Sequence, residues 1–297
     1  ITGFDRPNLY YRVETTRRKD AFVADYVRSH PGESGIIYCA TRKNVDAVQE
    51  MLRGEGISAA RYHAGMTNEE RRQSQNDFIY DTAPVIVATN AFGMGIDKSN
   101  VRYVIHYNMP QSMENYYQEA GRAGRDGLPS QCILLFSPQD IVINRFLLDH
   151  KENDDLDDEA ADLLRARDNQ RLQAMANSCQ TTGCLRNYIL RYFGEEPDGP
   201  CGSCGNCDRE VEEVDMTAQA KWMINCVAET RGRYGKGVVL NTLRGANMAR
   251  LRELGAMDYR SYGQLKDCTR DELDCLLAQL LEEGYLVQTD DQYAVLH

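Results

Sequence analysis

Val85-Ile-Val-Ala-Thr-Asn-Ala-Phe-Gly-Met-Gly-Ile-Asp97 is the stretch from which the fold is read. Its first four residues are apolar without polar alternation, as in a strand buried on both faces of a parallel sheet. Gly93 and Gly95 then allow close backbone approach, and a carboxylate, Asp97, follows. That is the usual place for phosphate or sugar contacts in an α/β sheet. Similar apolar runs occur at Gly35-Ile-Ile-Tyr-Cys-Ala40, Tyr103-Val-Ile-His106 and Cys132-Ile-Leu-Leu-Phe136, with a shorter strand at Ser58 to Tyr62. Between them, Lys43 to Arg53 carries Val45, Val48, Met51 and Leu52 at helical spacing. Asn68 to Tyr80 reads as a second helix, opened by Thr67 and Glu70 in a capping-box pattern. Alternating strands and helices predict a βαβ architecture with ligands beyond the carboxyl ends of the strands.

After Phe136 the strands stop. Asp140 to His150, Asp158 to Asn177 and Thr182 to Phe193 read as helices, and Gly194 and Pro197 break the chain before a cysteine-rich loop. The last segment has helical Ala218–Thr230 and Arg270–Glu283. Tyr285–Thr289 and Gln292–Leu296 then flank Asp290 and Asp291 as a hairpin. Helices followed by a two-stranded wing predict a winged helix. The expected units are residues 1–137, an α/β lobe with a parallel sheet; 138–210, helical and cysteine-bearing; and 211–297, an α+β winged helix.

The chain has 297 residues, is 42% hydrophobic and 27% charged, and has a formal net charge of −11. That composition excludes wholesale disorder, and no apolar run approaches the ~18 residues of a membrane span. No basic-then-apolar leader is present, and the start at Ile1 is read as a fragment or a processed product. Charge is uneven: residues 1–137 are net neutral, 138–214 carry −9 and 215–297 carry −2. Much of the acid sits in Glu152 to Glu159, read as a solvated linker or helix start. The opposite run, residues 231–252, holds Arg231, Arg233, Lys236, Arg244, Arg250 and Arg252 with no acid. A ligand within about 8 Å responds to such a local patch rather than to the total.

Four of the ten cysteines have a pattern: Cys184, then Cys201-x-x-Cys204-x-x-Cys207. Closely spaced thiolates suit one tetrahedral structural Zn²⁺; an iron–sulfur cluster is the alternative. Cys179 could compete as a ligand or be an ordinary thiol. Cys39 and Cys132 sit in apolar strands as core residues, and Cys226, Cys268 and Cys275 show no ligand spacing.

The second chemistry-bearing stretch is Tyr116-Tyr-Gln-Glu-Ala-Gly-Arg-Ala-Gly-Arg-Asp-Gly127. Arg122 and Arg125 stand three apart among glycines, with Gln118 and Glu119 before them. A permanently charged guanidinium can clamp phosphate oxygens and stabilise the charge of a transferring γ-phosphoryl group. The plain alternative is a surface ion pair with Glu119 or Asp126.

Together these motifs resemble the RecQ family of superfamily 2 DNA helicases. The resemblance rests on Phe4-Asp-Arg-Pro-Asn8, Tyr62-His-Ala-Gly-Met66, Ala88 to Asp97 and Gln118-Glu-Ala-Gly-Arg-Ala-Gly-Arg-Asp126. The four-cysteine spacing, Arg186 and Tyr192-Phe-Gly-Glu195 complete it. It covers essentially the whole chain. It implies a second RecA-like lobe, a zinc-binding subdomain and a winged helix, and a role in ATP-dependent 3′-to-5′ unwinding of DNA in repair and recombination. By place in the motif, Arg125 is implied as the arginine finger, Arg122 as its phosphate-facing partner and Gln118 as the link between nucleotide state and motor. Gly93, Gly95 and Asp97 are implied near the nucleotide. Thr41, Arg42, His63 and Thr89 are implied at the DNA backbone. ATP and Mg²⁺ are implied as cofactors, single-stranded and duplex DNA as partners, possible repair or single-strand-binding proteins beside them, and the bacterial cytoplasm as location.

No G-x-x-x-x-G-K-[ST] and no Asp-Glu-x-His occurs in the chain. The expectation is therefore that it does not hydrolyse ATP alone and needs a first lobe. In the last domain, Arg231, Arg233, Lys236 and Arg244 are the expected phosphate contacts. The wing is short and acidic, without an aromatic at its turn. Two rivals stand beside this reading: a zinc and winged-helix binding module with a vestigial motor lobe, and an RNA helicase lobe.

Overall fold

The computed structural model describes residues 3–93, 98–149, 158–209, 214–289 and 294–297. The chain forms two compact units, residues 1–179 with 183–209, and residues 210–297 with 180–182. In the first, six parallel strands form one sheet: β1 (Leu9–Thr15), β2 (Ser34–Tyr38), β3 (Ala59–Tyr62), β4 (Val85–Ala88), β5 (Val101–His106) and β6 (Ser130–Phe136). Their order across the sheet is β1-β6-β5-β2-β4-β3, every neighbouring pair being parallel.

Successive residues of the central strands point to opposite faces, and both faces are buried. Ile36, Ile86, Val104 and Leu134 enter one core, while Ile37, Val85, Ile105 and Ile133 enter the other. This is why those runs lack polar alternation. Burying each such side chain contributes about 1.5–3 kcal/mol of transfer free energy. Helices α1 (Lys19–Ser29), α2 (Arg42–Gly54), α3 (Asn68–Ile79) and α4 (Met113–Ala120) connect the strands. The Thr67/Glu70 capping box forms as the sequence predicts. β1, α1 and α4 are elements the sequence reading does not assign.

Beyond β6 come α5 (Pro138–Asp149), α6 (Asp158–Gln180) and α7 (Leu185–Tyr192). They pack onto the sheet face that carries Ile36 and Leu134, through Leu172, Met175, Leu185 and Ile189. Motor lobe and cysteine module thus share one core. The acidic run at 152–157 lies outside the described residues. No helix among the described residues is long and apolar enough to cross a membrane.

The second unit contains α8 (Thr217–Glu229), α9 (Lys236–Leu243), α10 (Ala249–Glu253) and α11 (Arg270–Glu282) around a core of Met223, Val239, Leu240, Leu273 and Leu277. Val287 and His297 exchange backbone hydrogen bonds at 2.9 and 2.8 Å, and Thr289 N donates to Val295 O at 2.8 Å. The predicted hairpin is therefore paired at its base. Its tip, with Asp290 and Asp291, falls outside the described residues.

Candidate functional site

Cys184, Cys201, Cys204 and Cys207 converge, all four Sγ atoms lying within 4.8 Å of one another. Cys184 is the N-cap of α7 and its Sγ accepts from Asn187 N at 3.4 Å; Cys201 N also donates to Cys184 Sγ, at 3.4 Å. Gly202, at φ +60°, supplies the left-handed turn that brings Cys201 and Cys204 to the same point. Cys201 and Cys207 Sγ are 3.9 Å apart. Zn–S bonds of ~2.3 Å in a tetrahedron place sulfurs roughly 3.8 Å apart, so the donor set fits one Zn²⁺. A cluster of several irons needs cysteines spread around several metals, which excludes the alternative. Burial pushes the Cys204 thiol up, but backbone N–H groups of Cys207 and Leu185 outweigh it and bring it down to about 7. That favours a thiolate at Cys204, whereas burial and the neighbouring thiols push Cys201 up and Cys207 up to about 12, protons that a bound metal would displace. Cys179 is buried at the end of α6, outside the cluster, and burial raises its thiol.

The arginine stretch leaves α4 at Gly121 and continues as consecutive turns, not helix. Arg122 and Arg125 consequently diverge. Arg122 turns inward: its Nη1 donates to Gly93 O at 2.8 Å. The Tyr38 hydroxyl donates to Phe92 O at 3.0 Å. A Cβ at Gly93 would collide with the Arg122 guanidinium. Arg125 and Gln118 are exposed. Gly95 and Asp97 lie outside the described residues. The carboxylates of the ion-pair reading are engaged elsewhere: Glu119 with buried His106 at 2.9 Å, and Asp126 with Arg102 at 2.5 Å.

Two residues from the Phe4–Asn8 stretch hold this loop. Arg6 donates to the carbonyls of Gly121, Ala123 and Gly124 at 3.2, 3.0 and 3.1 Å. Asn8 Nδ2 donates to Gly124 O at 2.8 Å and Leu128 O at 3.0 Å. The sequence marks Arg6 and Asn8 only as members of a motif, with no role.

The predicted DNA-facing loops meet at the carboxyl edge of β2, β3 and β4. Thr41 caps α2 by accepting from Asn44 N at 3.2 Å, and exposed Arg42 packs beside Gly65. Asn108, unassigned by sequence, accepts from Ala40 N at 3.1 Å and Asn44 Nδ2 at 3.0 Å, fixing that loop. His63 is not presented outward. It is 6% exposed, accepts from Gly65 N through Nδ1 at 3.1 Å, and lies 3.2 Å from Asp46 through Nε2. With Nδ1 accepting from Gly65 N, the ring shapes the turn from within. Thr89 is also buried, its N donating to Tyr62 O at 3.1 Å. Of the four residues, Arg42 is the one fully open to a phosphate.

In the second unit, Arg231, Arg233, Arg244, Arg250 and Arg252 are exposed. Lys236 is partly engaged, 3.1 Å from Asp274, which Arg270 also approaches at 3.5 Å. The helix before the wing, α11, opens with Arg270 followed by Asp271 and Glu272.

Three domain families match consecutive parts of the chain: the helicase conserved C-terminal domain over residues 18–127, the RecQ zinc-binding domain over 138–208 and the RQC domain over 210–297. The chain is 40% identical over 295 residues to the ATP-dependent DNA helicase RecQ of Bacillus subtilis, covering 99% of this chain and 49% of that protein. It is 36% identical to the protein of the same name from Haemophilus influenzae, covering 97% and 45%. With the ATP-dependent helicase wrn-1 of Caenorhabditis elegans it shares 35% identity, covering 96% and 28%. The chain thus spans about half the length, or less, of these relatives.

Proposed function

The chain belongs to the RecQ helicase family through its three consecutive modules, and from that premise we propose that it is the DNA-gripping, finger-bearing part of an ATP-dependent DNA helicase. Arg125 reaches across to the γ-phosphate of an ATP–Mg²⁺ held by a first RecA-like lobe. Arg122 braces the nucleotide-facing edge, and Gln118 senses the nucleotide. Bound Mg²⁺ would neutralise phosphate charge, while this chain contributes guanidinium and amide groups preorganised for the transition state. Gly93 lines the same edge; Gly95 and Asp97, outside the described residues, are assigned to the nucleotide by the family resemblance alone. Zn²⁺ holds the cysteine module together.

The observation that carries the reading is the built arginine loop. Five side-chain bonds to carbonyls hold Arg122 and the backbone around it while leaving Arg125 and Gln118 exposed. A vestigial lobe in a pure binding module has no use for that arrangement. The winged helix holds duplex DNA through Arg231, Arg233 and Arg244, with Lys236 secondary; Thr41 and Arg42 hold the single strand at the helix N-terminus. His63 and Thr89 support that loop from beneath. The 3′-to-5′ direction, the repair and recombination role and the cytoplasmic, nucleoid-associated setting follow the family resemblance.

The test joins this chain to a RecQ first lobe and measures ATP hydrolysis with and without single-stranded DNA. DNA-stimulated turnover, absent from either half alone, is expected. A joined protein that binds DNA and never turns over ATP would establish the binding-module reading instead.

A further inference from the structure

Arg186 lies two residues after the zinc ligand Cys184, on the first turn of α7, the helix that Cys184 caps. The residue is 6% exposed, and its guanidinium reaches the strap of residues 4–9. There Nη1 meets Asp5 Oδ1 at 2.9 Å and Arg6 O at 2.6 Å, and Nη2 donates to Leu9 O at 2.6 Å. The other end of the strap is Arg6, whose own guanidinium holds the carbonyls of Gly121, Ala123 and Gly124. Those three residues flank Arg122 and precede Arg125.

A parallel route runs through the rings. Phe4 stacks on Phe193 at 4.5 Å and meets Tyr117 edge-on at 5.6 Å, and the Tyr117 hydroxyl donates to Phe4 O at 2.8 Å. Phe193 caps α7, and Tyr117 is on α4, one turn before the arginine loop. Tyr192 also donates to Glu114 at 2.9 Å. The strap is thus clasped by the zinc module on one side and clasps the loop on the other.

We propose that Arg186 and Arg6 are positioning residues forming a relay, from Cys184 at the start of α7 to Arg186 to the strap to Arg6 to the 121–125 loop, by which an intact zinc module sets the position of the arginine finger. The inference rests on the finger reading of Arg125 given above. Buried guanidinium–carbonyl bonds of this kind are charge-assisted and directional, and a finger displaced by about 1 Å can lose ~10²-fold in rate. The zinc module therefore acts on catalysis without touching nucleotide.

The experiment compares Arg6→Gln, Arg186→Gln and Arg186→Lys with the unaltered chain by hydrogen exchange and zinc content. In each variant, amides of residues 121–128 should exchange roughly tenfold faster or more, while β5 (Val101–His106) is unchanged. One zinc per chain should remain in Arg6→Gln, because the Arg6 side chain bonds residues 121–124 and leaves its own carbonyl to Arg186, and Arg186→Lys should recover part of the protection. Where Arg186→Gln sheds zinc with β5 still protected, loosening of 121–128 supports the relay and an unchanged loop overturns it. Should that variant unfold outright, Arg6→Gln decides alone.

In the protein joined to its first lobe, kcat should fall by roughly 10²-fold, with the KM for ATP and the DNA affinity within about twofold. Unchanged exchange in 121–128, or a KM effect without a kcat effect, overturns the proposal. Failure of the finger reading is seen separately: Arg125→Ala would then leave turnover intact whatever the exchange data show.

Discussion

The Nη1 of Arg122 donates to the carbonyl of Gly93 at 2.8 Å, joining two glycine-bearing stretches 29 residues apart into one edge. Neither stretch has an obvious partner in sequence; the bond makes each the reason for the other. A side chain at position 93 would occupy the space of the guanidinium. Gly93→Ala should therefore displace Arg122 and lower kcat of the joined protein by ~10-fold or more, with some loss of melting temperature because position 93 sits at φ +158°. Steady-state kinetics and a thermal melt check this; a normal kcat means that Arg122 does not act where it rests.

Arg125 is exposed, so its removal should cost little stability. Arg125→Ala should reduce turnover by roughly 10³-fold, the scale of an arginine finger, leaving DNA affinity within about twofold. Arg125→Lys should remain severely impaired, because an ammonium cannot reproduce the planar fork. Rates under saturating DNA and ATP decide it.

Metal analysis should find one zinc per chain. In Cys184→Ser the hydroxyl can still cap α7, so any loss of structure reports the metal and not the cap. Structural zinc sites contribute about 10–16 kcal/mol of apparent binding free energy, which is folding free energy for the module. The variant should lose zinc and far-UV helicity from residues 158–192. Protons compete for the thiolates, so zinc retention should fall as pH falls and never the reverse.

Duplex binding by the second unit should be sequence-independent and salt-sensitive. Replacing Arg244 should weaken binding uniformly and lower the slope of log K against log salt by about 1. Replacing Lys236 should change the slope less, because its ammonium is already near Asp274. Titrations at several salt concentrations separate the two; equal slopes for both variants would show that the ion pair opens on DNA.

Much of the architecture is legible because burial on both sheet faces writes itself into Val85–Ala88, Tyr103–His106 and Cys132–Phe136 as unbroken apolar runs. β1 escapes because it is an outer strand: Leu9 and Tyr11 are buried while Tyr10, Arg12, Val13 and Glu14 are only half-buried, and the run looks mixed. α4 escapes because Gln118 and Glu119 draw attention as chemistry before they register as a helix end. The four cysteines are legible since their side chains carry the function and their spacing follows from one ion. The roles of Arg6, Asn8 and Arg186 are not, because each addresses backbone carbonyls. Every residue has a carbonyl, so the acceptor leaves no mark in the sequence, and only the fold shows which one is met. His63 illustrates the converse: the family resemblance implies a contact with the DNA backbone, and its hydrogen bonds show that the side chain faces inward.

The outward carbonyls of β1 have one further consequence. Leu9 O is taken by Arg186 and Tyr11 O by Gly205 N at 2.8 Å, with a parallel bridge from Tyr11 to Cys204. The cysteine knuckle therefore closes the rim of the sheet, where an uncovered strand would template pairing with another chain. Zinc is, in this sense, a guard on solubility: stripped of it, the protein should self-associate through β1 before the interior of the sheet has melted.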